Sequence, residues 1–310
     1  MKPRILAAAS FIGVLAGSLP AADSQLLKLV MPDVKVISDV NVAQAKLTPF
    51  GQYVLSQLPN GGVEQVTALT NFNPAKDLNE LLCASNATPN TGLALATGIF
   101  DPTAIAALGA KDGAVTETYQ GVTILEDPKK LNGVAFLNPG LMAAGDIADV
   151  KAAIARQTSP TTLPTALMTQ ITNLSNTEDA WVISTVSPTS FPHAKAPTQP
   201  STIDGVNVPP NLFQQVQSGY AGVKFGSNIT VTAQAQTVDA QSATNLAGMF
   251  QLLQNIALMQ AQQNPDLASF ARSISVTATG AAVNFSASLP EDQFQALVKP
   301  HARPRTAHKQ

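Results

Sequence analysis

Apolar and polar residues alternate strictly from position 229 to position 236, which is the clearest β-strand pattern in the chain. The odd positions hold Ile229, Val231, Ala233 and Ala235, and the even positions hold Thr230, Thr232, Gln234 and Gln236. Because successive side chains of a strand point to opposite faces, the alternation predicts a strand with one buried face. A strand from Tyr220 completes a predicted hairpin, and Asp239 begins a predicted helix that runs to about Gln262.

The order of a hairpin followed by a helix is predicted at three further places. The hairpins are expected over residues 79–100, 133–144 and 274–287, and the helices after them start at Asp101-Pro102, Asp146 and Pro290. An aspartate at the N-cap accepts a hydrogen bond from a free amide, and a proline in the first turn loses nothing by lacking an N–H group. Further strands are expected at 34–40 and 181–186, and a further helix at 48–58. The predicted class is α+β, with antiparallel sheets built from β-hairpin-plus-helix units, helices on one face and two lobes.

The division into two lobes rests on a proline-rich stretch at 187–210. This stretch holds six prolines among threonine, serine and glycine, a composition typical of a linker without regular elements. It separates an N-terminal α+β lobe at 23–186 from a C-terminal ββαββα lobe at 211–298. The remaining residues, 299–310, are basic and interrupted by proline, and they are predicted to form a disordered tail.

The first 22 residues have the layout of a secretory signal peptide. Lys2 and Arg4 form a basic start, residues 5–19 are apolar and without charge, and small residues follow at 18–22. The apolar stretch is shorter than the roughly 20 residues that span a bilayer, and no later segment is apolar enough to do so. We therefore expect an exported protein, periplasmic or extracellular, without a transmembrane segment after cleavage.

Four short segments carry a resemblance to other proteins. They are MPDVKVI at 31–37, PFGQYVL at 49–55, FNPAKDL at 72–78 and YQGVTI at 119–124. Together they resemble segments of a group of uncharacterised exported bacterial proteins, over positions 26–156. The resemblance implies an exported location and a fold of hairpin-plus-helix units, and it carries over neither an activity nor a functional residue.

The charge distribution excludes a nucleic-acid partner. The chain has 18 basic and 20 acidic residues, but six of the basic ones lie in the predicted leader and tail. The body is therefore acidic, whereas a nucleic-acid groove needs a basic face. Aromatic residues make up only 5% of the chain, which leaves few rings for stacking on bases.

Histidine and cysteine chemistry has little support in this sequence. His193 lies in the predicted linker, and His301 and His308 lie in the predicted tail, so no histidine has a rigid scaffold. The single cysteine, Cys83, excludes an intramolecular disulfide and a cysteine-based metal site. It lies within an apolar run at 81–84 and is predicted to be buried. We predict no catalytic, metal-binding or cofactor-binding residue and no cofactor.

The acidic residues that could form carboxylate pairs have a simpler interpretation. Asp146 and Asp149, like Glu291 and Asp292, lie at predicted helix starts, where they cap the helix or interact with its dipole. Glu117 and Glu126 flank a strand region and have no partner that the sequence identifies.

The predicted helix at 240–262 contains no charged residue. Leu246, Phe250 and Leu253 fall on one face, which predicts a helix packed on the sheet. Gln251 and Gln254 are expected to face outward, so a contact with a second subunit is an alternative. A monomer is predicted, with a homodimer as the alternative.

These observations predict an exported, non-catalytic protein that acts by binding or self-assembly at the cell envelope. The basic tail can attach to an anionic envelope surface. One alternative is a carrier that holds a small apolar ligand between helix and sheet. Another is a hydrolase that depends on carboxylates or hydroxyls.

Overall fold

The computed structural model describes residues 22–56, 73–89, 91–111, 113–127, 129, 131–190, 201–203, 206–208, 213–260 and 265–298. Its strands are β1 Val36–Asn41, β2 Leu78–Ser85, β3 Leu93–Gly98, β4 Val115–Tyr119, β5 Val122–Asp127, β6 Asn132–Asn138, β7 Leu141–Asp146, β8 Ala180–Ser184, β9 Ser201–Ile203, β10 Val206–Val208, β11 Val216–Lys224, β12 Asn228–Thr237, β13 Ser275–Thr279 and β14 Ala282–Pro290. Its α-helices are α1 Ser24–Leu27, α2 Val42–Ala45, α3 Pro49–Ser56, α4 Pro74–Asp77, α5 Pro102–Lys111, α6 Ile147–Arg156, α7 Thr165–Thr177, α8 Ala240–Gln260, α9 Pro265–Ser273 and α10 Glu291–Val298.

All four predicted hairpin-plus-helix units are present. The antiparallel hairpins β2–β3, β6–β7, β11–β12 and β13–β14 are followed by α5, α6, α8 and α10 respectively. The two predicted N-caps form as well. Asp101 accepts a hydrogen bond from the Ala104 amide at 3.0 Å, and Asp146 accepts one from the Ala148 amide at 2.9 Å. The α+β class with antiparallel pairing is therefore confirmed.

The two predicted lobes share one sheet. Twelve strands pair in the order β13-β14-β12-β11-β8-β1-β2-β3-β7-β6-β5-β4, and β8 pairs with both β1 and β11. The proline-rich stretch that follows β8 thus does not interrupt the sheet. It also contains the small hairpin β9–β10, so the expectation of a linker without regular elements is wrong at that point.

The two faces of the sheet have different compositions in its two halves. We call the face that carries Ile37, Leu95 and Ile183 the front face, and the opposite one, which carries Cys83, Ala94 and Ala144, the back face. On the front face, Ile183 of β8 is followed across the sheet by Tyr220, Gln234 and Asn284 of β11, β12 and β14. The front face is therefore apolar in the N-terminal half and polar in the C-terminal half.

The helices follow this change of face. In the N-terminal half, α6 and α7 cover the front face and contribute Val150, Ile154 and Ile171 to the largest hydrophobic core. In the C-terminal half, α8 covers the back face, where Leu246 packs with Val276 of β13. The expectation that all helices share one face is therefore wrong. The reason is that the apolar residues occupy front-face positions up to β8 and back-face positions in the strands after it. Each hairpin-plus-helix unit shows only its own alternation and not the face on which that alternation falls in the complete sheet.

A third cluster joins α3 and α10 to the back face beside β12. Phe50 of α3 makes edge contacts with Phe225 and Phe294, with ring centroids 5.7 and 5.0 Å apart, and Ile229 of β12 is fully buried beneath them. The areas of the back face covered by this cluster and by the cluster beneath α8 thus lie over β12 to β14 and over the adjoining parts of β8 and β11, and a groove over β1, β2, β3 and β7 lies to one side of them.

Some predictions concern residues outside the described part of the chain. They include residues 1–21 of the predicted signal peptide, the predicted tail at 299–310, and all three histidines. Within the described helices, none combines the length and the hydrophobicity that crossing a bilayer requires.

Candidate functional site

An open groove lies on the back face over β1, β2, β3 and β7. We call it the central groove, and its volume is about 320 Å³. Its lining consists of small and apolar residues: Val36, Ser38, Cys83, Ala84, Ser85, Gly92, Leu93, Ala94, Ala144 and Gly145. The side chains of Ala84 and Leu93 point to the front face, so these two residues present their backbone to the groove. Two of the lining positions are serines, and none carries a charge at neutral pH. The groove therefore offers a concave, mainly apolar surface to a ligand.

One end of the central groove depends on a close approach between two glycines. Gly145, at the end of β7, has a φ of +148°, and a β-carbon there would overlap the carbonyl oxygen of Gly92. The amides of the neighbouring turn are held by acidic groups and carbonyls, since the Gly92 amide donates to the Asp149 carboxylate at 3.1 Å and the Asp146 amide donates to the Gly92 carbonyl at 3.2 Å. Asp149, predicted as a partner of the helix dipole, thus fixes the rim of the groove.

The position of Cys83 corrects the prediction from the sequence. Its neighbours Leu82 and Ala84 point to the front face and are buried, whereas Cys83 points to the back face and is exposed in the central groove. Partial desolvation and the negative charge of Asp39 raise the pKa of the Cys83 thiol. Cys83 is therefore an accessible but weakly nucleophilic group in the lining.

A second cavity continues the central groove beneath α5. Its volume is about 440 Å³, and it shares Ala144 and Gly145 with the central groove. Ile105 and Gly109 of α5 form its roof, and Leu125 of β5 is part of its apolar floor. The helix α5 is uncharged up to Lys111 and is separated from the sheet by this cavity. The two cavities together form an extended path along the back face.

The most strongly perturbed carboxyl groups lie away from the central groove. Asp39 is 4% exposed on the front face, and its pKa is raised to about 8, first by desolvation and then by the charge of Glu80. Burial also raises the pKa of Glu80, which accepts a hydrogen bond from the Asp23 amide at 2.8 Å. Neither carboxyl lines the central groove or the cavity beneath α5. The pair is therefore placed to join α1 to the sheet.

Glu117 and Glu126, for which the sequence identifies no partner, lie on the β4–β5 hairpin. Glu117 forms a salt bridge with Lys151 of α6 at 2.7 Å, and the hydrogen bond from Lys151 lowers the Glu117 pKa. Desolvation and the nearby Glu117 raise the pKa of Glu126, whose carboxyl lies beside Glu117 and Lys151 on the front face. Asp127 of the same strand faces the end of the second cavity. Asp127 is therefore the acidic side chain at that end of the path.

Of the two α8 glutamines predicted to face outward, Gln251 is exposed and Gln254 is half-buried, and both bond within the chain. The side-chain amide of Gln251 donates to the Val276 carbonyl at 3.1 Å, and that of Gln254 donates to the Ala271 and Ile274 carbonyls, each at 2.8 Å. These bonds tie α8 to α9 and β13. The two glutamines therefore stabilise the fold within one chain.

Comparisons with known proteins relate this chain to others through its fold alone. The sequence matches no protein-family model and no curated protein. The structure resembles crystal form III of TP0453 with a TM-score of 0.57 and 10% sequence identity, over 88% of this chain and 96% of that chain. Crystal forms I and IV of TP0453 align over 88% of this chain with TM-scores of 0.48 and 0.49. The 12-stranded antiparallel sheet with its flanking helices thus has the fold of TP0453.

Proposed function

We propose that this protein is an exported, non-catalytic binding protein that holds a small apolar ligand in the central groove. The observation that supports the proposal is the lining of that groove, which is concave, small in its side chains and nearly devoid of polar groups. Apolar surface that is exposed to water in a monomer is costly, and a contiguous patch of it is typical of a binding site.

The shape of the groove favours a ligand over a partner protein. Alanine, glycine and serine at the lining positions leave room above the strands, and the cavity beneath α5 extends the groove sideways. An elongated apolar molecule would remove both its own surface and the lining from water, at about 25 cal/mol for each Å² that is buried. Asp127 at the far end would face a polar end of the same molecule.

Binding without catalysis fits the chemistry of the lining. Cys83 carries the one thiol of the lining, and its raised pKa keeps it in the less reactive protonated form. The buried pair of Asp39 and Glu80, which would best suit acid–base catalysis, belongs to the opposite face of the sheet. The hydrolase alternative therefore has less support than the carrier.

The proposed location is the cell envelope or the extracellular space. The signal-like leader supports export, and the basic tail supports attachment to an anionic surface after export. In that setting a binding protein for an apolar molecule would shield it from water. Self-assembly has less support, because Gln251 and Gln254 bond within the chain.

The experiment is a fluorescence titration with N-phenyl-1-naphthylamine, a neutral apolar dye whose emission rises in an apolar environment. We expect saturable binding to the wild type and its loss in Ala94→Phe, because the new ring would occupy the groove. The control is Ala278→Phe, the same change at an exposed position on the edge strand β13. Equal binding by all three proteins, or no binding by the wild type, would contradict the proposal.

A further inference from the structure

A polar cleft lies on the front face in the C-terminal half, on the opposite side of the sheet from the central groove. It lies between α7 and the strands β11, β12 and β14, and its volume is about 390 Å³. The change of face described above causes this polarity, because the front side chains here are those of Tyr220, Thr232 and Asn284. A concave surface made of polar side chains has a different ligand chemistry from the central groove.

Glu178 reaches into this cleft because glycine stands at position 222. A β-carbon at 222 would overlap Cγ of Glu178, so the carboxylate can lie across β11 only above Gly222. Its Oε1 accepts a hydrogen bond from the Thr232 hydroxyl at 2.9 Å. Its Oε2 is buried and has no hydrogen-bond partner among the described residues. A buried carboxylate oxygen without a donor is costly, and a small rotation of the Glu178 side chain toward a ligand that supplies a donor would remove that cost.

The neighbouring acid does not share this role. Asp179 is 4% exposed, and its two oxygens accept hydrogen bonds from the Phe225 amide at 2.6 Å and from Lys224 Nζ at 2.7 Å. The charge of Asp179 is therefore compensated by Lys224 within the protein. Glu178 is the only acidic or basic residue of the cleft lining.

The rest of the lining supplies neutral groups that both donate and accept. Gln170, Asn173 and Thr177 project from successive turns of α7 into the cleft. Asn284 uses its side-chain oxygen to accept from the Gln234 amide at 2.8 Å, so that its NH₂ group is the donor it offers for a further contact. The ring of Tyr220 adds an apolar surface with a hydroxyl at its end.

From this arrangement we infer that the polar cleft is a second binding site, for a neutral polyhydroxylated ligand such as a saccharide. Hydroxyl groups can donate to the Glu178 carboxylate and accept from the amides of Gln170, Asn173 and Asn284. An ammonium ion has donors only, so it would satisfy Glu178 and leave those amide donors unmatched. A saccharide also has C–H faces that pack on a ring such as that of Tyr220.

The test is saturation-transfer NMR of the purified protein with methyl β-glucoside and N-acetylglucosamine, followed by calorimetric titration of the sugar that responds. Methylammonium is titrated in parallel to represent a simple cation. In Glu178→Gln the affinity for the sugar should fall by about tenfold or more, because hydrogen bonds to charged groups are the stronger ones. In Gly222→Ala the affinity should fall as well, because the new methyl group displaces the Glu178 side chain.

The matched control is Glu291→Gln, the same chemical change at the start of α10, which should bind the sugar like the wild type. Circular dichroism of each variant shows whether it is folded, and Glu178→Gln still tests the inference if Gly222→Ala does not fold. The inference is overturned if neither sugar gives saturation transfer with the wild type, or if Glu178→Gln binds the sugar with unchanged affinity. Glu178-dependent binding of methylammonium without sugar binding would overturn it in favour of a cation site.

Discussion

Cys83 of β2 lies directly opposite Ala94 of β3, and both residues line the central groove. Residues paired in this way have β-carbons about 5 Å apart, so a large side chain at one position covers the other. Ala94→Phe should therefore slow the alkylation of Cys83 by iodoacetamide severalfold, while Ala278→Phe leaves the rate unchanged. Since the chain has a single cysteine, the rate of thiol loss reports on this position alone. Equal rates in both variants would show that Ala94 is not beside Cys83.

The hydrogen bonds of Gln254 give a prediction for stability. In Gln254→Glu the carboxylate cannot donate to the carbonyls of Ala271 and Ile274, so both lose a donor. We expect the free energy of unfolding to fall by about 1–3 kcal/mol, as measured by urea denaturation. The control is Asn255→Asp, an amide-to-acid change at the next, exposed position of α8, which should cost less than about 0.5 kcal/mol. A loss confined to the control would contradict the assigned bonds.

The buried carboxyl pair of Asp39 and Glu80 predicts how stability depends on pH. Asp39 has its ordinary pKa of 3.8 in the unfolded chain and a pKa of about 8 in the folded protein, so the folded state binds more protons between these values. The contribution of this group to stability is therefore fully present below about pH 4 and is lost as the pH rises through about 8. The melting temperature of the wild type should fall as the pH rises across this range, and it should fall less in Asp39→Asn. The same change at the exposed Asp292 should leave the slope as it is in the wild type, and an unaltered slope in Asp39→Asn would contradict the prediction.

Asp179 links the start of β8 to the end of β11. It is buried and bonds both the Phe225 amide and Lys224, whose side chain is 36% exposed. Asp179→Ala should lower the free energy of unfolding by about 3 kcal/mol, because it leaves a buried amide without an acceptor and a cation without its partner. Lys224→Met should cost less, since the partly exposed ion pair is weakened by solvent. Chemical denaturation shows which of the two variants loses more free energy of unfolding, and a larger loss in Lys224→Met than in Asp179→Ala would contradict the prediction.

The local elements could be predicted because their signals are local. The alternation at 229–236 and the caps at Asp101 and Asp146 depend only on neighbouring residues, and all three lie where they were expected. Helix α7 had such a signal too, since Leu167, Ile171 and Leu174 fall on one face. That signal was missed because threonine and asparagine, which favour helices weakly, surround it.

The functional surfaces could not be predicted because they depend on which face of the sheet is covered. In the run from Leu81 to Ala84 every residue is apolar, so nothing in it distinguishes exposed Cys83 from buried Leu82. The polar cleft required Gly222 to lie beneath Glu178, two residues that are distant in sequence. Contacts of this kind arise from strand order, which composition and periodicity do not specify.

The most direct measurement of ligand binding in the central groove is the protection of Cys83 in the wild-type protein. The rate of its alkylation is measured without ligand and then with N-phenyl-1-naphthylamine at concentrations that saturate the fluorescence signal. A ligand seated on β1, β2, β3 and β7 covers the thiol, so the rate should fall severalfold, and the half-maximal concentration should match that of the fluorescence titration. An alkylation rate that stays constant while the dye is fully bound would contradict the proposed site.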